Sequence, residues 1–230
     1  MSPAYRRSSL LAGSVVLAIV LSPPMHELSH QWFSVHMIEH ELLMAAVAPL
    51  LVLSRPLPLL LRTVPREWRR IMTRWAAQPA VRTTWLALTG PLLAWIVHTL
   101  VLWVWHVPAL FEAALHDHTV HAFQHLSFLG AALLYWSSLV ANRHGGSGYG
   151  IAVFSLFATS LQCALLGALL TLSAVPWYPE YPQLVDQQWA GLVMWVPAGF
   201  VYTIGGIAFF VLWLRESEAR TQRWERSLAP

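Results

Sequence analysis

The chain has 230 residues, 57% of them hydrophobic and only 11% charged, against the roughly 25% charged residues of a soluble domain. Its 14 basic and 11 acidic residues leave a formal charge of +3, too small to indicate a nucleic-acid partner, and every basic residue is an arginine. The single cysteine, Cys163, excludes an intrachain disulfide and the CxxC chemistry of thiol redox proteins and thiolate metallochaperones.

This composition predicts an all-α protein: a polytopic membrane helix bundle forming one integral membrane domain over residues 1–230, with about six spans. The first is a short apolar run at 10–21, behind Arg6 and Arg7. An arginine pair before an apolar run is also how a signal peptide reads, but SPPMHELSH follows with no small-x-small cleavage site, which favours a retained span. A polar connector carrying His26, Glu27 and His30 leads to the second span at 35–53, which ends at Ser54-Arg55-Pro56. The basic connector at 55–82 interleaves Arg62, Arg66, Arg69, Arg70, Arg74 and Arg82 with apolar residues, the pattern of an amphipathic helix lying on an anionic membrane face.

The third span is expected at 84–105, and the connector after it, HVPALFEAALHDH, has no arginine. A fourth span at 120–140 ends in the glycine-rich loop NRHGGSGYG, and a fifth follows at 151–174. The next connector, PWYPEYPQLVDQQ, is rich in proline and aromatic rings and again lacks basic residues. The sixth span, 189–214, leads into a tail with Arg215, Arg220, Arg223 and Arg226. With six spans and both termini cytoplasmic, all 14 arginines fall on the cytoplasmic side, as the positive-inside rule requires. The same count sends ten of the 11 histidines toward the outer face, His144 alone facing the cytoplasm.

The chemistry concentrates in two short strings. In HMIEHELLM, His36 and His40 stand one helical turn apart on one face, with Met44 a turn deeper. In HAFQH, His121 and His125 repeat that spacing. Both pairs open spans that run inward, so they lie at the same depth. Uncharged imidazoles in apolar helices need either hydrogen-bond partners or a metal, since burying them alone costs several kcal/mol in total. A structural polar network, a metal site and a haem site all satisfy that need.

His106 reaches the outer rim at the end of the third span, and His98 lies about 12 Å deeper, as a proton relay or a structural donor. Asp186, before the sixth span, is a ligand, an acceptor fixing the tautomer of a ligating histidine, or a helix cap. Met44 and Met194 add thioethers or plain packing, and Glu39 and Glu41 flank His40 as groups behind the ligands. Imidazoles with optional thioether and no thiolate suit copper best and zinc nearly as well.

The string HMIEHELLMAAVAPLLVLSRPL resembles the first signature of the caa3-type CtaG family of cytochrome c oxidase assembly factors. WVWHVPALFEAALHDHTVHAFQHLSFLGAALLYW and DQQWAGLVMW resemble its second and third, so the likeness runs over roughly residues 30 to 214. The resemblance implies a membrane protein of the bacterial inner membrane that serves haem-copper oxidase biogenesis through copper delivery. It points at His36, His40, His106, His121, His125 and Asp186 as metal ligands, with His98 also inside the matched block, and Met44 and Met194 stand as secondary candidates on their thioether chemistry alone. A haem-copper oxidase subunit and a periplasmic copper donor are the implied partners, beside membrane lipid. No catalytic residue is expected on that reading. A zinc-dependent intramembrane hydrolase using Glu39 as base, and a haem-binding electron carrier with histidine axial ligands, are the alternatives.

Overall fold

The computed structural model describes residues 2–57, 61, 63–141 and 146–228, and among these the regular structure is entirely helical. Arg62, Arg143 and His144 lie outside the described residues. The helices are α1 (Pro3–Val20), α2 (Pro23–Gln31), α3 (Phe33–Ser54), α4 (Arg66–Ala76), α5 (Pro79–Leu88), α6 (Pro91–Trp105), α7 (Pro108–His116), α8 (His118–Ala141), α9 (Gly146–Leu172) and α10 (Leu184–Leu228). Among the described residues, three regions are long and apolar enough to cross a membrane: α3, Gly148–Leu172 in α9 and Leu184–Ser227 in α10. Counting each bent pair as one span, α1 with α2 (52°) and α5 with α6 (66°), gives five. The predicted fourth span corresponds to α8, which has the length but carries His118, His121, Gln124 and His125 in its first two turns.

Proline sets most of the helix starts. Pro3, Pro23, Pro79, Pro91 and Pro108 each stand in the first turn of a helix, where the missing N–H costs nothing. Pro91 also breaks the helix expected at 84–105: with Gly90 before it, the chain turns by 66° and α6 keeps 15 residues, about 22 Å. The predicted amphipathic connector contains α4, whose four arginines and Trp68, Ile71, Met72 and Trp75 are exposed or nearly so. In α10 the helix continues through the arginine-rich tail, where Glu216 pairs with Arg220 (3.3 Å) and Arg223 (3.5 Å).

The bundle is apolar outside and polar in places inside, as expected where lipid is the solvent. Phe123, Leu126, Phe154, Phe157, Leu161, Phe200 and Ile204 are exposed, while His36, Glu39, His40, His98, Gln124 and Thr159 are buried. α9 and α10 pack along much of their length through bare glycines: a Cβ on Gly167 would lie 2.5 Å from the Gly191 carbonyl oxygen. α8 packs between α3 and α6, and α1 lies against the inner half of α3, with Gly13 facing Leu50 and Leu51.

Within α3 the residues Leu42–Val47 adopt a wider π-helical turn, in which the Ala48 N–H bonds to the Leu43 carbonyl five residues back. Pro49, next in line, has no N–H to continue the ordinary ladder. The Met44 carbonyl is met from outside the helix, by the Trp136 indole at 3.0 Å. The turn falls directly after the His36–His40 segment, so the helix carrying the paired imidazoles is irregular one turn deeper.

Candidate metal centre

Three helix ends meet at one face of the bundle. α3 contributes His36, Glu39 and His40, three positions that share a helix face, and α8 contributes His118, His121 and His125 at i, i+3 and i+7. α2 contributes His26 and His30, again one turn apart. The two predicted pairs come together. Ring centroids lie 4.5 Å apart for His36 and His40, 4.2 Å for His121 and His125, 5.5 Å for His36 and His121, and 5.2 Å for His40 and His125.

Glu39 sits among them at 0% exposure, one carboxylate oxygen 3.9 Å from His125 Nε2. Among the described residues neither Glu39 oxygen makes a hydrogen bond of full geometry, the neighbouring Ser29 hydroxyl donating to the His26 carbonyl (2.9 Å), and neither does either ring nitrogen of His40 or the Nε2 of His36, His121 and His125. One donor each from His36, Glu39 and His121 lies within 4.8 Å of the other two. Donors on one zinc-like ion, each about 2.0–2.2 Å from it, stand at most roughly 4.4 Å apart. Small side-chain rotations therefore suffice to close this set on a cation. The unpartnered atoms supply the reason to do so, because buried polar groups left unsatisfied are costly.

The other predicted ligands are placed differently. His106 is buried at the end of α6, and its Nδ1–H donates to the Leu102 carbonyl at 2.6 Å, which leaves Nε2 free. It shares two neighbours with the central pair: Phe111 lies 6.5 Å from His106 and 4.9 Å from His36, and Phe128 lies 6.3 Å from His106 and 4.5 Å from His40. Asp186 is a cap, but of a distant helix. Its carboxylate accepts from the Phe33 N–H (2.5 Å), the Ser34 N–H (3.2 Å) and the Ser34 hydroxyl (2.6 Å), tying the start of α3 to α10. It thereby positions His36, one turn further on, instead of reaching the histidines itself. His98 lies apart, its ring 4.9 Å from Tyr135 and 6.5 Å from Tyr202. Met44 and Met194 are buried in the apolar core.

An aromatic strap packs beside the site, with Tyr181 6.4 Å from His36. In the proline-rich segment before α10, Tyr178 donates to the His106 carbonyl (2.9 Å) and Tyr181 to the Ser29 carbonyl (2.5 Å). Their rings pack with Phe33 and Phe111 at 4.2–5.3 Å. Burial pushes both tyrosine hydroxyls above their ordinary pKa, so both stay protonated donors.

The sequence assigned no role to His26, His30 and His118, although the i, i+4 spacing of His26 and His30 is the one that marked the other pairs. The rings of His26 and His30 lie 4.6 Å apart, and His26 is 5.1 Å from His121 and 6.1 Å from His118. Asp117, beside His118, caps α8 by accepting from the Thr119 N–H (2.7 Å) and the Val120 N–H (3.2 Å). These two bonds hold its carboxyl below the usual range, so an anion stands at the rim. A cavity of about 710 Å³ between α1 and α8 is lined by His26, His118, His121, His125 and Glu39 together with Leu17 and Leu129.

A sequence model of the cytochrome c oxidase caa3 assembly factor family, Caa3_CtaG, matches residues 2–216. The chain belongs to this family. The match begins well before residue 30, where the sequence likeness was expected to start, so α2 and its two histidines fall within the Caa3_CtaG region. No curated protein and no solved structure matches the chain.

Proposed function

We propose that this Caa3_CtaG protein holds a copper ion between α3 and α8 at the periplasmic face of the bacterial inner membrane and delivers it to a subunit of the oxidase. The observation that carries the reading is the convergence of His36, Glu39 and His121, with His125 3.9 Å from Glu39 and His40 against His36 and His125, their Nε2 and carboxylate atoms making no hydrogen bond of full geometry among the described residues. Neutral imidazoles supply borderline-soft nitrogen donors, and Glu39 supplies one negative charge against the cation. His106, oriented by the Leu102 carbonyl, is a further nitrogen donor at the same face. Copper is cargo here, so the site must also release it.

The proposal includes six crossings with both termini cytoplasmic, which sets the arginine-rich α4 and the end of α10 opposite the histidines. It assigns no catalytic step. A haem reading is less favoured, because four ring pairs of the cluster lie only 4.2–5.5 Å apart and crowd the one wider pair, His36 and His125 at 6.5 Å. The test is elemental analysis with an optical spectrum on detergent-purified protein, wild type against His36→Ala with His40→Ala. Copper in the wild type and a lower copper content per chain in the variant are expected. Equal copper in both would remove the central pair, a Soret band would reinstate haem, and zinc with amide or ester hydrolysis would favour the hydrolase.

A further inference from the structure

Seven histidines form an unbroken series of neighbouring rings, and they are not equivalent. His36 and His40 are buried, His121 is nearly so, His125 is partly covered, His26 is half-buried, and His30 and His118 are exposed. The spacings along the series are similar: 4.6 Å from His30 to His26, 5.1 Å on to His121, 5.5 Å from His121 to His36 and 4.5 Å from His36 to His40. The 710 Å³ cavity runs along the middle of the series, its wall shared by His26, His118, His121, His125 and Glu39. Leu17, Val20 and Leu21 of the first helix and its end form the facing wall, so an ion moving inward would pass between apolar side chains on one side and imidazoles on the other.

We infer that His26, His30 and His118 form a second, outer cation site that captures the metal from the periplasmic water and passes it along the cavity, through His121, to the buried cluster. This rests on the reading of the inner cluster as a metal site, and it adds an acquisition station to which no role has been assigned. The chemistry suits the task. The outer imidazoles come from two helices, and the exposed side chains of His30 and His118 are free to change rotamer and close on an ion. The Asp117 carboxylate next to His118 raises the local concentration of cations. His121 stands within 6.1 Å of both His26 and His30 and within 5.5 Å of His36, so it can take the ion from one set while belonging to the other. Transfer then proceeds by exchange of one nitrogen donor for the next, with no change in the oxidation state of the ion.

The test is Cu(II) binding to the full-length protein in detergent by equilibrium dialysis, together with the rate of tryptophan-fluorescence quenching on mixing. Wild type is expected to take two ions per chain. The triple variant His26→Ala, His30→Ala, His118→Ala is expected to take one and to load at least tenfold more slowly, while His36→Ala with His40→Ala keeps one ion and loads that one at the wild-type rate. Two ions in the triple variant, or one ion in wild type and triple variant alike with equal rates, would overturn the outer site and leave the inner reading standing. No bound ion in the wild type would remove both, and loss of an ion in the triple variant alone would leave the outer site and remove the inner one. Because a triple variant can misfold, electron paramagnetic resonance of the wild type at one and two equivalents gives an independent readout. Two copper signals with distinct nitrogen coupling are expected, and a single unchanged signal would count against the proposal.

Discussion

The outer end of the bundle and its interior both bury polar side chains, and the comparison shows what distinguishes a metal site from a polar core. Around His36 the rings crowd one another, and one donor each from His36, Glu39 and His121 falls within a common reach. Deeper in, His98, Glu41, Gln162 and Tyr202 also carry buried atoms with no hydrogen-bond partner in the protein. Yet His98 faces the rings of Tyr135 and Tyr202, and no three-donor set converges in the interior among the described residues. The hydroxyl of Tyr135 accepts from Thr159 (3.0 Å) and Ser155 (3.3 Å), which is a structural hydrogen-bond arrangement. An unsatisfied buried atom is therefore a weak pointer, and several aimed at one spot are a strong one. The outer region also opens to a large cavity with imidazoles in its wall, whereas the one beside Glu41, about 310 Å³, is lined almost wholly by apolar residues such as Ile38, Val193 and Pro197.

The sharpest way to break this contrast is to empty the outer cluster. His36→Ala with His121→Ala removes two of the three converging donors and is expected to abolish the inner copper, leaving at most the ion held by His26, His30 and His118, with helical content by circular dichroism unchanged. Metal retained at the wild-type level would place the site elsewhere, and the interior would be the next candidate. A smaller effect is expected from Glu39→Gln, which keeps the shape and removes the charge. Replacing the one anionic donor by a neutral amide should weaken copper affinity by about tenfold, some 1.4 kcal/mol, as read by competition with a chelator. An unchanged affinity would mean that Glu39 only fills space beside His125.

How much of this was legible in the sequence differs by region for physical reasons. The pairs His36–His40 and His121–His125 were found because i, i+4 spacing is local and survives folding unchanged. Their mutual approach depends on α3 packing against α8, and no local pattern encodes which helices become neighbours. The same spacing in His26 and His30 was visible, but their stretch read as a polar connector and hid that α2 is a helix turned by 52° from α1 to face α8. Asp186 shows the opposite limit. Its position before a helix suggested a cap or a ligand, and it caps the start of α3, some 150 positions away in the chain, which only the tertiary contact between α3 and α10 reveals. The break at Gly90-Pro91 was readable in principle, since proline bars the residue before it from helical backbone, but the long apolar run outweighed it.

That long-range cap sits between the two regions and sharpens the comparison at an intermediate scale. Asp186→Ala deprives the first N–H groups of α3 and the Ser34 hydroxyl of their acceptor, a loss expected to cost about 1–2 kcal/mol of stability. Since His36 lies one turn beyond, copper affinity should fall along with the thermal midpoint, and Asp186→Asn, which keeps one acceptor oxygen, should restore part of both. A drop in copper binding with no change in thermal midpoint would instead make Asp186 a direct ligand.

The smallest expected effect lies in the interior, and it is the one that tests whether the two regions are truly different in kind. Tyr202 is fully buried, its hydroxyl has no partner in the protein, and its ring stacks on Trp136 at 5.9 Å with an interplanar angle of 11°. Tyr202→Phe keeps the stack and deletes only the desolvated hydroxyl, so the thermal midpoint should stay level or rise, because removing an unsatisfied buried group relieves its desolvation cost. Copper content should not move. The same holds for His98→Phe as far as metal is concerned, since its ring packs against Tyr135 rather than against other imidazoles. Were either change to lower copper per chain at unchanged helicity, the interior polar groups would be coupled to the outer cluster through α3, whose π-helical turn between His40 and Ala48 is the segment that joins them.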